Sequence, residues 1–185
     1  MPSWMDAATD LAETSYSNAG TRVSFNIGNY YAGAAASELS DTWEHHYRAI
    51  RKCNMLLDTI DVVPKSIDLS DEKYETDKLN YKSESRFMRA YFYWEMFLRY
   101  GPVPIVTKVL DPNSDLFTGY ETRPSIKEYV IDFILPELKD CEQGLMDYET
   151  GRKSQNSGRI SQPMARALYS RIMLYMASDR FRSES

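Results

Sequence analysis

From Phe87 to Leu98 the apolar positions return at three- and four-residue steps. Phe87, Ala90, Tyr91, Trp94, Phe97 and Leu98 make one face, and Met88, Phe92, Tyr93 and Met96 widen it. A helix apolar around so much of its circumference needs neighbours on more than one side. Gly101, Pro102 and Pro104 stop it, because glycine takes the left-handed conformation that closes a helix and the prolines favour extended backbone before them. With Ser70 or Asp71 as a cap, the pattern predicts a helix over 72–100, about 44 Å long at the usual rise. Its few charges, Arg86, Arg89, Glu95 and Arg99, read as a narrow polar seam or buried pairs, and Glu95 with Arg99 has the favourable four-residue spacing.

Three further segments carry helical periodicity. Trp43, Tyr47, Ile50, Asn54 and Leu57 share a stripe, with Ala49, Cys53, Leu56 and Ile60 beside it, which predicts a helix over 42–60 entered through an Asp41–Glu44 capping box. Ile126, Tyr129, Val130, Phe133, Ile134, Leu138, Cys141 and Leu145 predict another over 125–145, kinked or split by Pro136. Ser161 with Pro163 opens the last, over 161–178, where Ala165, Leu168, Ile172 and Tyr175 recur and Ala167, Leu174 and Met176 flank them. The stretches between are punctuated by turn residues: 61–71 around Pro64, 101–124 with Asp111-Pro112-Asn113, and the polar, glycine-bounded 144–158. Met5, Ala8, Leu11 and Ala12 allow a short early helix, and residues 14–40 form a long irregular segment rich in Gly, Ser, Ala and Asn.

The expected fold is therefore all-α, with helix 42–60 paired to 72–100 and 125–145 to 161–178 as antiparallel hairpins joined by long loops. The organisation along the chain is an early helix and loop over 1–41, a first hairpin over 42–100, a loop over 101–124 and a second hairpin over 125–178. No alternating strand pattern stands out, so β-structure should be minor.

Composition narrows the function classes. The 185 residues are 43% hydrophobic with a net charge of −5, enough for one domain with a sizeable core and opposed to phosphate-backbone binding, which needs concentrated Lys and Arg. Nucleic acid is not an expected partner. The single basic cluster, Arg152, Lys153 and Arg159, sits in the polar loop. Cys53 and Cys141 are the two cysteines, both within helical patterns, so neither a disulfide framework nor zinc-ligand spacing is present and both read as small buried hydrophobes. No run of about eighteen apolar residues occurs.

Two separated motifs resemble the SusD/RagB family of surface lipoproteins. The first is Glu84, Arg89-Ala90, the aromatics Tyr91, Phe92 and Tyr93, then Tyr100-Gly101 and Pro104. The second is Trp43, Tyr47 and Ile50 followed by Asn54 and Leu57. Gly158-Arg159 before Ala165, Ala167, Leu168, Arg171 and Leu174 is similar to the family's Ala-Leu-rich helix. The resemblance implies tetratricopeptide-like hairpins, no catalytic activity and no cofactor. It also implies capture of glycans or other nutrients at the cell outer membrane and a SusC-like TonB-dependent transporter as partner. A secretion signal and a lipid-anchor cysteine are then expected upstream of Met1, so that the membrane is reached only through an anchor outside these residues.

Catalytic signatures are missing from the sequence. His45 and His46 are adjacent, so on a helix their side chains diverge by about 100° and cannot share a metal. No nucleophile elbow, phosphate-cradling glycine loop or carboxylate dyad is marked by context. With 14 tyrosines, flat apolar faces carrying a hydroxyl are abundant, suiting both sugars and helix contacts. In the 14–40 segment Asn26, Asn29, Tyr30 and Tyr31 are the candidate ligand contacts, although packing suits the tyrosine pair as well. Three readings stay open: a non-enzymatic glycan or nutrient receptor, a tetratricopeptide-type protein adaptor, and an α-helical carbohydrate-active enzyme.

Overall fold

The computed structural model describes residues 27–28, 37–115 and 118–181, and divides into two units, 1–45 and 46–185. Among the described residues the architecture is helical, and the β-structure is one isolated parallel bridge between Met146 and Ser161. Helix α1 spans Ser37–Thr59 and ends in a single 3-10 turn, Ile60–Val62. Helix α2 spans Asp71–Tyr100. A π-helical segment, Lys127–Ile134, runs directly into α3, Leu135–Glu142. A single turn α4, Tyr148–Gly151, precedes α5, Gln162–Met176.

Helix α2 begins where the cap residue predicts: the Ser70 hydroxyl accepts from the amide of Lys73 at 3.2 Å. It ends at Gly101, whose φ of +69° is the positive value expected, although its ψ of −160° is extended rather than helical. Helix α1 departs from the prediction at its start. It begins at Ser37, so Asp41 lies inside it and its carbonyl oxygen sits 2.6 Å from Nδ1 of His45.

Pro136 changes the helical register instead of splitting the helix. A proline in a continuous α-helix collides with the carbonyl four residues back and leaves it without a donor. Here the preceding turns are π-helical, the amide of Leu135 bonds five residues back to Val130, and Pro136 sits in the first turn of α3. Short π segments of this kind let the chain pass a proline while keeping one apolar face: Tyr129, Val130, Ile134, Leu138 and Cys141 are all buried.

The core lies in the 46–185 unit and is centred on α2. Phe87, Ala90, Tyr93, Trp94, Met96 and Phe97 are buried along it. Ile50 of α1, Tyr129 to Cys141 of the π–α3 helix, Ala165, Ile172 and Met176 of α5, and Val103 complete the cluster. Tyr93 meets Tyr47, Tyr129 and Phe133 edge-on at 6.5, 5.8 and 5.2 Å, so one ring ties α1 and the π segment to α2. Helices α2, α3 and α5 pack in that order as neighbours. Close approach at Gly144 is required by the fold, since a Cβ there would lie 2.1 Å from Ser83 Oγ and 2.9 Å from Leu79 Cγ. Helix α5 buries only Ala165, Ile172 and Met176. Leu174 and Tyr175, which the sequence pattern places beside and on the apolar stripe, are exposed, although the Tyr175 ring still meets Trp94 of α2 edge-on at 5.3 Å.

Candidate functional site

Among the described residues the extended segment that follows α2 has no strand beside it, and several of its backbone groups are taken by side chains instead. Tyr47 of α1 donates to the carbonyl of Pro104 at 2.8 Å, Asn54 to Val106 at 2.9 Å and Lys108 at 3.3 Å, and Arg51 to Leu110 at 2.8 Å. The hydroxyl of Tyr93 accepts from the amide of Val106 at 2.7 Å and lies 3.1 Å from its carbonyl. Arg123 reaches back to the carbonyls of Tyr100 and Pro102 at 2.6 and 3.1 Å, serving the free C-terminal end of α2. Pro102 and Pro104 carry no amide hydrogen and need no acceptors, which lowers the number of backbone groups the segment must satisfy.

Beneath it lies the strongest charge cluster. Arg89, 7% exposed, donates to Glu137 Oε2 through Nη2 at 2.6 Å and Nε at 3.1 Å, and through Nη1 to Asn54 Oδ1 at 2.8 Å. Arg86 takes the other carboxylate oxygen at 2.8 Å and also reaches Asp140 at 3.0 Å. Glu84 pairs with Arg159 at 2.9 Å, and that guanidinium lies 4.9 Å from the Tyr81 ring. Glu95 pairs with Arg99 at 2.8 Å, as its spacing predicts. Of the polar seam expected on α2, Arg86 and Arg89 fasten the helix to α3, and Glu95 with Arg99 stiffens its last turn. Burial pushes the phenols of Tyr47, Tyr93 and Tyr129 above their ordinary range, and the thiol of Cys141 up to about 12. These groups are neutral at physiological pH, and Cys53 and Cys141 are free, buried thiols.

A second feature is an apolar cleft of about 490 Å³ where α1 ends and α2 begins, walled by Leu56, Ile60, Val63, Leu69, Tyr74 and Tyr81. Tyr74 donates to the carbonyl of Val63 at 2.5 Å, bracing the loop against α2. From the sequence, 61–71 reads as a turn-rich connector. The available signal was Val62, Val63 and Ile67 standing among acidic residues, with Tyr74 and Tyr81 seven apart on one helix face.

The predicted ligand contacts Asn26, Asn29, Tyr30 and Tyr31 lie outside the described residues. His45 is exposed, and His46 meets Phe92 edge-on at 5.4 Å. Among the described residues no group of three His, Cys, Asp or Glu side chains is arranged to hold a metal ion, and no helix is long and apolar enough to cross a membrane.

Residues 5–175 match the SusD-like family model described as starch-binding and associating with the outer membrane. The chain belongs to this SusD-like family. It is 30% identical over 112 residues to SusD-like protein P25 of Formosa agariphila, an alignment covering 57% of this chain and 19% of that protein. A crystal structure of a SusD-like protein from Bacteroides fragilis superposes with a TM-score of 0.66 at 33% identity, over 82% of this chain and 26% of that one. A SusD superfamily protein from Parabacteroides distasonis gives 0.68 at 25% identity, over 92% and 32%. The SusD-like chain thus spans between about a fifth and a third of the length of these relatives. Among the residues that carry the resemblance, Tyr47, Asn54 and Tyr93 bond the extended segment and Glu84 and Arg89 pair with Arg159 and Glu137.

Proposed function

We propose that this SusD-like chain is the helical platform of a non-enzymatic surface receptor that captures glycans or another nutrient and passes them to a SusC-like TonB-dependent transporter. It would be held at the outer membrane by a lipid anchor outside these residues. The observation that carries this reading is the match of residues 5–175 to a family described as starch-binding and associated with the outer membrane. The geometry supports a passive platform, because buried Arg89 is committed to Glu137 and Asn54, and Glu137 to Arg89 and Arg86. In this reading 42–100 and 125–178 are the platform's two hairpins, and the 14–40 segment offers ligand contacts through Asn26, Asn29, Tyr30 and Tyr31.

The test is a glycan and peptide array, with starch oligosaccharides included, against the intact mature protein. Binding of an oligosaccharide without cleavage is expected, and Tyr30→Ala with Tyr31→Ala should weaken it about tenfold, the worth of a lost aromatic contact. Unchanged binding in the double variant rejects the site. Shortened oligosaccharides in the incubated mixture replace the receptor reading with an enzymatic one. Failure of the tagged protein to co-purify with a TonB-dependent transporter from its own outer membrane rejects the hand-off.

A further inference from the structure

We propose that the end of the α1–α2 hairpin is a docking surface for a protein partner that presents an apolar side chain flanked by Lys or Arg. The apolar part is on view. Ile67 is 96% exposed and Val62 80%, both in the loop that walls the cleft of Leu56, Ile60, Val63, Leu69, Tyr74 and Tyr81. Met55 and Leu79 are exposed on the adjoining helices. Apolar residues concentrated at a loop tip beside an open cleft of this size mark an interaction surface rather than scattered surface hydrophobes.

The charges choose the occupant. From Met55 to Lys82 there are seven carboxylates and four lysines, a net charge of −3. All four lysines are engaged within the hairpin: Lys65 with Asp71, Lys73 with Asp77, Lys78 with Asp61 and Glu75 at 3.5 and 3.6 Å, and Lys82 with Asp61 at 2.6 Å. Asp58, Asp68 and Glu72 carry no ion-pair partner among the described residues. The charged residues that line the cleft, Asp77 and Lys78, are already paired, so the surplus of carboxylates on the surrounding segment decides, and it favours a partner with an apolar anchor and a basic rim over anionic membranes and acidic segments. The cleft is held open before any partner arrives, because the Tyr74 hydroxyl and the Ser66–Leu69 turn fix the loop.

The experiment uses the full-length protein and three fluorescein-labelled 12-residue peptides read by anisotropy. One carries Leu-Trp flanked by four Lys or Arg, the second replaces the basic residues by Glu, and the third replaces Leu-Trp by Ser. The basic-apolar peptide should bind at least about tenfold tighter than either control and weaken as salt is raised. Val62→Ser with Ile67→Ser should lower its affinity about tenfold, and Asp68→Asn with Glu72→Gln about threefold with a shallower salt dependence. These side chains are exposed, so unaltered circular dichroism is expected for all four substitutions. Equal binding of the three peptides, or no change in the Val62/Ile67 variant, overturns the proposal. So does an Ile67→Cys variant that resists maleimide without peptide, which would mean the protein covers its own cleft. Displacement of the basic-apolar peptide by maltohexaose would assign the cleft to glycan instead.

Discussion

The Arg89–Glu137 pair is a sensitive point of the fold, and losing Glu137 should cost far more than losing Arg86, the second cation that shares it. The side chains of Arg89 and Glu137 are 9% and 10% exposed, so both have lost most of their hydration. Glu137 has two cationic partners, Arg86 and Arg89, whereas Glu137 is the acid that compensates Arg89, the other acceptors being neutral oxygens of Asn54 and Thr107. Glu137→Gln therefore strands a buried guanidinium, and removing one partner of a buried pair costs about 3–5 kcal/mol. Arg86→Gln should cost about 1 kcal/mol or less, since Arg86 is 32% exposed and Glu137 keeps Arg89. The double variant Arg89→Met, Glu137→Leu should recover part of the loss, because an apolar pair of similar volume strands no charge, while buried Asn54 Oδ1 still loses its donor. Urea unfolding read by tryptophan fluorescence gives all three values. A Glu137→Gln cost below about 1 kcal/mol, or a double variant no better than the single, would refute a desolvated pair as the fastener between α2 and α3.

Gly144→Ala should destabilise by about 1–3 kcal/mol through the clash with Ser83 Oγ, and adding Ser83→Ala should restore part of it in the same unfolding assay. Tyr93→Phe leaves the amide of Val106 without its acceptor and should cost about 1–3 kcal/mol, with faster hydrogen exchange at Val106 as the local readout. Stability should fall in alkali. The phenols of Tyr47, Tyr93 and Tyr129 and the thiol of Cys141 are raised by burial, so the folded state keeps protons that the unfolded chain gives up. Their contribution is whole below the ordinary 9.0 of a thiol and 10.0 of a phenol, and is lost as pH rises toward the folded values. Each group should add about 1.4 kcal/mol per pH unit to the decline, and Tyr129→Phe should remove one such share. A flat urea midpoint from pH 9 to 11 would contradict this.

Helix α2 was legible because its evidence is local: an all-round aromatic pattern, a serine cap and a glycine–proline stop all act within a few residues of the atoms they govern. The partner of Arg89 was not, since Glu137 is 48 positions away and nothing in the spacing of charges says which acid the fold brings near. The π register before Pro136 escaped for a different reason. Over eight residues a period of 3.6 and a wider one bury the same Tyr129, Val130 and Ile134, so periodicity identifies the face without the winding. On α5 the apolar spacing gave the helix but not its coverage, because Leu174 and Ile172 look alike in sequence and only packing decides which is buried.

Four polar residues of the pattern that made the family recognisable have spent their hydrogen-bonding groups. Tyr47, Asn54, Arg89 and Tyr93 use their donors and acceptors on the carbonyls and amide of 104–108 and on one another, which is what an extended segment without a sheet demands. A group so engaged cannot hydrogen-bond a ligand without abandoning a buried backbone partner, at a cost of about 1–3 kcal/mol. The recognisable pattern therefore specifies a platform and is silent on cargo. Selectivity has to reside in side chains with unspent capacity, and a ligand contact mapped onto Asn54 or Arg89 would require that the 104–108 segment be rearranged on binding. Hydrogen exchange at Val106 that stays protected with saturating ligand would exclude such a rearrangement.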